Sequence, residues 1–210
     1  DMGEGTMSQS GYAITSRIWK RGTPLSQAEV IFTGEEEDMG VWSYVLETPR
    51  RRFTVVARLI TFYSREMYVL EEGGLVRLDI PEDAAVQGVF SNQLLVDLKS
   101  DWEVDGQTLK QGSLIAIDYD AFLKGDRQFT VVVAPDSRSS IASVSFTESR
   151  MLVTRLVNVR SVIDAYTFDA GGWSHERVDA PAMGTLGVKS TDIHSDRYFF
   201  WYEDFLTPTS

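Results

Sequence analysis

Two histidines, His175 and His194, are the only imidazole groups in the 210-residue chain, and the sequence contains no cysteine. Near the second histidine, Asp192, His194 and Asp196 alternate, so in an extended segment they would project together, as three oxygen and nitrogen ligands of a metal do. Aspartate and serine are also the usual turn residues, and a polar turn between two strands is the favoured interpretation. The lack of cysteine excludes disulfides, thiol catalysis and cysteine-ligated metal centres.

Hydrolytic chemistry would need a nucleophile beside an activating base. A histidine could pair with some serine, but neither histidine has a partner defined by a motif, and a triad is recognised by its geometry. The Gly-x-Ser-x-Gly turn that presents the serine of α/β-hydrolases does not occur in the sequence. We therefore expect no catalytic, cofactor-binding or metal-binding residue in this chain.

Four other clusters have structural interpretations that are favoured over functional ones. The acidic run at residues 35–38 could bind a cation or a basic peptide, but solvated loops are more often this acidic. The arginines at residues 50–52 could attract an anion, and they are typical of a hairpin edge kept soluble. The aromatic run at residues 199–202 could be a stacking platform, and it indicates a buried strand. Gly3 and Gly5 have no third glycine at dinucleotide-binding spacing.

Charge and hydropathy limit the classes of partner. The chain has 31 acidic and 20 basic side chains, a formal charge of −11, which argues against a nucleic-acid binder. No apolar run is longer than the five residues 198–202, so no membrane helix is expected. The sequence starts at Asp1 without an initiator methionine or a signal-peptide pattern, which predicts a soluble segment of a longer protein. The compartment, cytoplasmic or periplasmic, stays open.

The hydrophobic pattern predicts strands. Residues 94–98, 114–118 and 129–133 are apolar, the last two on both faces, as in sheets covered on both sides. Parallel sheets would need crossover helices, and the gaps between strands are short and rich in glycine. Residues 120–124 could form one helical turn. Antiparallel sheets stacked on one another are therefore predicted, in a sandwich or a propeller.

Repetition favours the propeller. Four-strand units begin near residues 41, 86, 141 and 186, at spacings of 45, 55 and 45 residues, close to the ~40–50 residues of a propeller blade. The predicted fold is an all-β propeller fragment of about four blades of four-stranded antiparallel sheets. It divides into a half blade at 1–35, blades at about 41–80, 86–134 and 141–179, and a half blade at 186–210.

Several short sequence segments, in the same order along the chain, resemble the propeller of prolyl oligopeptidase-family serine peptidases. They are SGY at 10–12, IWKRGTPL at 18–25, LVRLDIP at 75–81, SDW at 100–102, GSLIA at 112–116, SDRYFF at 195–200 and YEDFLTPT at 202–209. The family joins a seven-bladed propeller to an α/β-hydrolase domain with a Ser–Asp–His triad. The resemblance implies a non-catalytic cap that restricts that domain to short peptides, with the hydrolase domain of the parent chain as its partner.

Two alternatives stay open at this point. The chain could be a freestanding propeller or sandwich that binds a protein partner. The predicted half blades would also leave unpaired strand edges, and exposed edges favour self-association.

Overall fold

This computed structural model describes residue 3 and residues 5–181, 184–206 and 208. Within these residues, short apolar segments separated by turn residues form eighteen strands. The extreme ends of both predicted half blades (residues 1, 2, 4, 207, 209 and 210) lie outside the described residues. All strand pairings are antiparallel.

Five main sheets follow one another along the chain. Sheet I contains β1 (Thr15–Ile18) and β2 (Glu29–Thr33), and sheet II contains β3 (Gly40–Glu47), β4 (Arg52–Leu59), β5 (Arg65–Glu71) and β6 (Gly74–Arg77). Sheet III contains β7 (Ala85–Phe90), β8 (Gln93–Asp97), β11 (Leu114–Asp118) and β12 (Thr130–Val133), with the hairpin β9 (Trp102–Val104) and β10 (Gln107–Leu109) between its second and third strands. Sheet IV contains β13 (Ser139–Phe146), β14 (Met151–Val157), β15 (Arg160–Asp169) and β16 (Gly172–Arg177), and sheet V contains β17 (Thr185–Thr191) and β18 (Tyr198–Glu203).

Each four-stranded sheet keeps its strands in chain order, so its first strand is an edge strand. Local turns set the ends of the strands. For example, β4 stops at Leu59 because Ile60 and Thr61 turn back to bond the carbonyl of Ser64. The expected all-β, antiparallel architecture is confirmed.

The greater length of the repeat that begins near residue 86 has a local cause. Its extra residues form the hairpin β9–β10, whose turn residues Asp105 and Gly106 have φ values of 46° and 74°, in the left-handed region that an Asp-Gly hairpin turn requires. The side-chain amide of Gln107 donates to the carbonyl of Phe129 and accepts from its N–H, both at 3.0 Å. The predicted helical turn is α1 (Tyr119–Leu123), where Asp118 caps the amide of Ala121 at 2.9 Å.

Sheets pack face to face within two compact units. Unit 1 holds sheets I and II, joined by an apolar cluster around Ile14, Val41 and Val56. Unit 2 holds sheets III, IV and V. Leu95 and Met151 mark the cluster between sheets III and IV, and the cluster between sheets IV and V includes Leu152, Leu186 and Tyr202. Burial of apolar surface between the sheets stabilises these stacks by about 25 cal/mol for each Å² removed from water.

Candidate functional site

His175 lies on β16, exposed and paired with Tyr166 of β15. The two rings stack with centroids 4.9 Å apart and planes 22° apart. Burial raises the pKa of the Tyr166 hydroxyl. Among the described residues the imidazole has no carboxylate or hydroxyl partner that could make it a general base, so its position is that of a cross-strand packing residue.

His194 lies in the turn between β17 and β18, as the polar-turn interpretation predicts. Its backbone N–H donates to Asp192 Oδ1 at 2.9 Å, and the Ser195 hydroxyl donates to Asp192 Oδ2 at 2.8 Å. The His194 amide and then the Ser195 hydroxyl hold the pKa of Asp192 below its usual range. Ser195, His194 and Asp192 do not have the arrangement of a catalytic triad, because the serine hydroxyl donates directly to the Asp192 carboxylate.

Asp196 faces away from this arrangement, toward the turn between β13 and β14. It accepts from the Thr147 hydroxyl at 2.7 Å, the Ser149 N–H at 2.9 Å and the Ser149 hydroxyl at 2.5 Å. The Ser149 hydroxyl is the main cause of its lowered pKa. Asp196 therefore ties sheet V to sheet IV, and the described residues contain no group of three His, Asp or Glu side chains placed to bind a metal.

The acidic run divides into two parts. Its three glutamates are exposed, as expected of a solvated loop, but Asp38 is only 2% exposed. Its carboxylate accepts from the Glu35 N–H at 2.7 Å and from Arg58 of β4 at 2.7 and 3.0 Å. Burial raises the pKa of Asp38, but the hydrogen bonds from Arg58 and Glu35 outweigh that effect and leave it lowered. Asp38 is a structural residue, although the sequence pattern placed it in solvent.

The arginine cluster and the aromatic run also have structural roles. Arg51 Nη2 donates to both carboxylate oxygens of Glu71, at 2.8 and 2.9 Å, and the guanidinium lies over the ring of Phe53, while Arg52 pairs with Glu47.

In the aromatic run, Phe200 and Tyr202 pack against the cluster between sheets IV and V. Phe199 is 73% exposed, so the expectation of a buried strand fails there. The reason is geometric: alternate side chains of β18 leave on opposite faces, and Phe199 is on the other one.

Asp164 is the buried charge that sequence reasoning missed. It is 1% exposed on β15 and accepts from Arg155 Nε at 2.9 Å and Arg177 Nε at 2.5 Å, on the two neighbouring strands. A lone aspartate inside the apolar run at residues 162–166 is the signal that could have identified it, since such a group is rarely buried unless paired. A cleft of about 640 Å³ opens beside Arg177, between Ser161 and Leu186.

The first strands of the three sheets in unit 2 share a feature. Each has a β-bulge, between Val86 and Gly88 in β7, between Ile141 and Ser143 in β13, and between Val188 and Ser190 in β17. In β13 the extra residue is Ala142, which is exposed. Bulges disturb the ladder of an edge strand and block its pairing with foreign strands. These edges therefore present irregular backbone, with Gln87, Ala142 and Lys189 as the extra residues.

The described carboxylates with lowered pKa values are Asp38, Asp101, Asp192 and Asp196, and each accepts at least one backbone N–H in a turn or loop. No helix in the described part is long and apolar enough to cross a bilayer.

Comparison with known proteins gives the family. Residues 2–210 match the family model described as "Prolyl oligopeptidase, N-terminal beta-propeller domain". Two curated relatives are described as uncharacterized peptidases: y4nA of Sinorhizobium fredii, 31% identical over 98% of this chain and 30% of that protein, and RP174 of Rickettsia prowazekii, 24% identical over 80% of this chain and 24% of that protein. The chain thus spans less than a third of the length of either relative.

Solved structures have the same fold. The chain aligns with a post-proline cleaving enzyme from Rickettsia typhi at a TM-score of 0.90 and 21% identity, over 99% of this chain and 31% of that one. It aligns with oligopeptidase B from Trypanosoma brucei at 0.68 and 12% identity, over 97% of this chain and 29% of that one. The predicted propeller class is confirmed.

Proposed function

Because the chain belongs to the prolyl oligopeptidase N-terminal β-propeller domain family, we propose that it is the non-catalytic part of a serine peptidase and controls the access of short peptides to a separate α/β-hydrolase domain. The hydrolase domain would lie in the part of the protein that corresponds to the remaining length of the curated relatives.

The bulged first strands are the observation that carries this proposal. Blades of a propeller surround a central channel, and the edge strand on the channel side decides what passes. Bulges and small exposed residues such as Ala142 and Ser143 suit a wall that a peptide passes without being captured as an added strand. The proposed division into blades and half blades at the predicted boundaries belongs to the same hypothesis.

The test uses the full-length peptidase whose reading frame contains this segment. Ala142→Trp adds bulk to the exposed bulge of β13, and Val131→Trp adds the same bulk to exposed Val131 on the fourth strand of sheet III. We expect Ala142→Trp to lower kcat/KM more for long peptides than for short ones with the same cleavage sequence, and Val131→Trp to leave that ratio unchanged.

The proposal is wrong if the unmodified enzyme cleaves long, unstructured chains as fast as short peptides, or if both tryptophan variants act alike. A hydrolase domain that never contacts this segment would give the second result.

A further inference from the structure

The cleft beside Arg177 exists because β16 ends before it has covered the whole edge of β15. The last residues that pair are Asp164 and Arg177, and the N–H of Val178 still donates to the carbonyl of Ile163 at 2.9 Å. The chain then leaves sheet IV, so among the described strands only β14 pairs with residues 160–162. The cleft of about 640 Å³ that opens there lies within unit 2, and its volume is that of a small-ligand pocket.

The uncovered edge of β15 presents backbone groups to the cleft. In an antiparallel ladder, the N–H and C=O of one residue point to the same side of the strand, and this side alternates along the chain. Ile163 bonds toward Val178, so Ser161, two residues earlier, points its N–H and C=O to the same side. Ser161 lines the cleft and is only 8% exposed. An extended peptide binds such an edge by adding to it as a strand.

Two charged side chains of opposite sign line the same cleft. Arg160 and Asp179 are exposed, and among the described residues neither side chain has an ion-pair or hydrogen-bond partner, the other one included. Arg160 lies three residues before Ile163, and Asp179 follows the residue that bonds Ile163. At about 3.3 Å per residue of strand, their backbones are about 10 Å apart along β15, which is close to the length of three extended residues.

A strained turn forms the rim of the cleft. Asn158 and Val159 connect β14 to β15 with φ values of 48° and 68°, a conformation in which the second residue is usually glycine. Valine is β-branched, so a positive φ is a true outlier for it, and its side chain is 89% exposed. Asn158 and Arg160 line the cleft on either side of it. Strain of this kind persists mainly at functional sites.

We propose that this cleft binds a short peptide of about three residues with both ends free. Its main chain pairs with Ser161, its terminal carboxylate binds Arg160, and its terminal ammonium binds Asp179. The peptide then runs antiparallel to β15 and continues the path of β16. The aliphatic residues Val157, Val178, Ala180 and Leu186 complete the lining and accept small apolar side chains. The choice of a peptide rests on the proposed function, because short free peptides are what such a peptidase releases.

Calorimetric titration of the full-length peptidase tests the proposal. The enzyme is first treated with a fluorophosphonate so that the probe is not hydrolysed, and trialanine is compared with trialanine amide and N-acetyltrialanine. We expect one trialanine per chain and at least about tenfold weaker binding of each blocked peptide, because each loses a charge-assisted hydrogen bond. Equal affinities, or no binding of trialanine, overturn the proposal. Inorganic phosphate that displaces trialanine at a similar concentration indicates a general anion site and also overturns it.

Variants locate the two ends of the peptide. Arg160→Gln should remove the difference between trialanine and its amide, and Asp179→Asn should remove the difference between trialanine and its N-acetyl form. Arg21→Gln is the control, since it removes an exposed arginine of unit 1 and should leave all three affinities unchanged. Arg160→Gln that behaves like Arg21→Gln contradicts the assignment.

Val159→Gly tests the rim. Glycine adopts a positive φ without strain, so the urea midpoint should rise, while the affinity for trialanine should fall several-fold because an apolar cover is lost. A higher midpoint with unchanged affinity contradicts the role of the rim. If the fluorophosphonate does not label the enzyme, the proposed serine peptidase is wrong, whereas the dependence of binding on the two peptide ends still decides the assignment of the cleft.

Discussion

Asp164 gives the sharpest stability prediction, because it is almost completely buried and both of its partners are known. The carboxylate binds Arg155, whose side chain is 18% exposed, and Arg177, whose side chain is 53% exposed. Asp164→Ala leaves the Arg155 guanidinium without its counter-charge and with little access to water. Breaking a buried pair by removing one partner costs about 3–5 kcal/mol. We expect the lower end, about 3 kcal/mol of unfolding free energy, since half-exposed Arg177 regains water.

Urea unfolding followed by tryptophan fluorescence measures this loss, since Trp173, one of five tryptophans, packs against the cluster between sheets III and IV. Arg177→Met is the matched control, and we expect it to cost less than about 1 kcal/mol because its charge is only half-buried. The double variant Asp164→Leu, Arg155→Met removes both charges of the buried pair and should recover much of the stability lost in Asp164→Ala. A loss below about 1 kcal/mol for Asp164→Ala, or equal losses for Asp164→Ala and Arg177→Met, would refute the reasoning.

Four further outcomes are expected. The purified chain should hydrolyse neither prolyl nor basic peptide nitroanilides, and stoichiometric fluorophosphonate labelling of one serine would contradict this. Gly184→Ala places a Cβ 2.2 Å from the carbonyl oxygen of Glu203. The variant should lower the free energy of unfolding by about 1–3 kcal/mol. An unchanged urea midpoint would contradict this, because it would mean that the backbone shifts without cost. Asp38 and Asp196 have lowered folded-state pKa values, so the stability they contribute is present above the unfolded pKa of about 4 and is lost as the pH falls through the folded pKa values. The melting temperature should therefore decline less steeply from pH 6 downward in Asp196→Asn than in the unmodified chain. Parallel pH profiles of the two proteins would contradict this contribution of Asp196. The isolated chain should associate through the free edges of its two-stranded sheets, and light scattering that gives a monomer mass at every dilution would exclude this.

The all-β, antiparallel fold class was predictable from the sequence alone, because the strands have apolar patterns and several of the turns between them contain glycine or aspartate. Asp105 and Gly106 illustrate this, because an Asp-Gly pair is itself a signal for a hairpin turn. Local signals of this kind depend on neighbours within a few positions.

Burial of charge was not predictable in the same way. Asp38 looks like the fourth member of a solvated acidic run, but Arg58, twenty residues away, pairs with it. The roles of Asp192 and Asp196 also depend on partners: one fixes its own turn and the other joins two sheets. Long-range partners decide these roles, and a single sequence does not contain the pairing.

The carboxylates in the turns of sheets IV and V show how this segment is held rigid. Asp192 accepts from the amide of His194 and the hydroxyl of Ser195 within its own turn, and Asp196 accepts from Thr147 and Ser149 of the neighbouring sheet. These donors lower the pKa values of both carboxylates, so the two groups stay ionised and hydrogen-bonded near neutral pH. Because a fold and an activity are separable, a segment stiffened in this way can belong to a peptidase family and contribute shape, as the gating proposal requires.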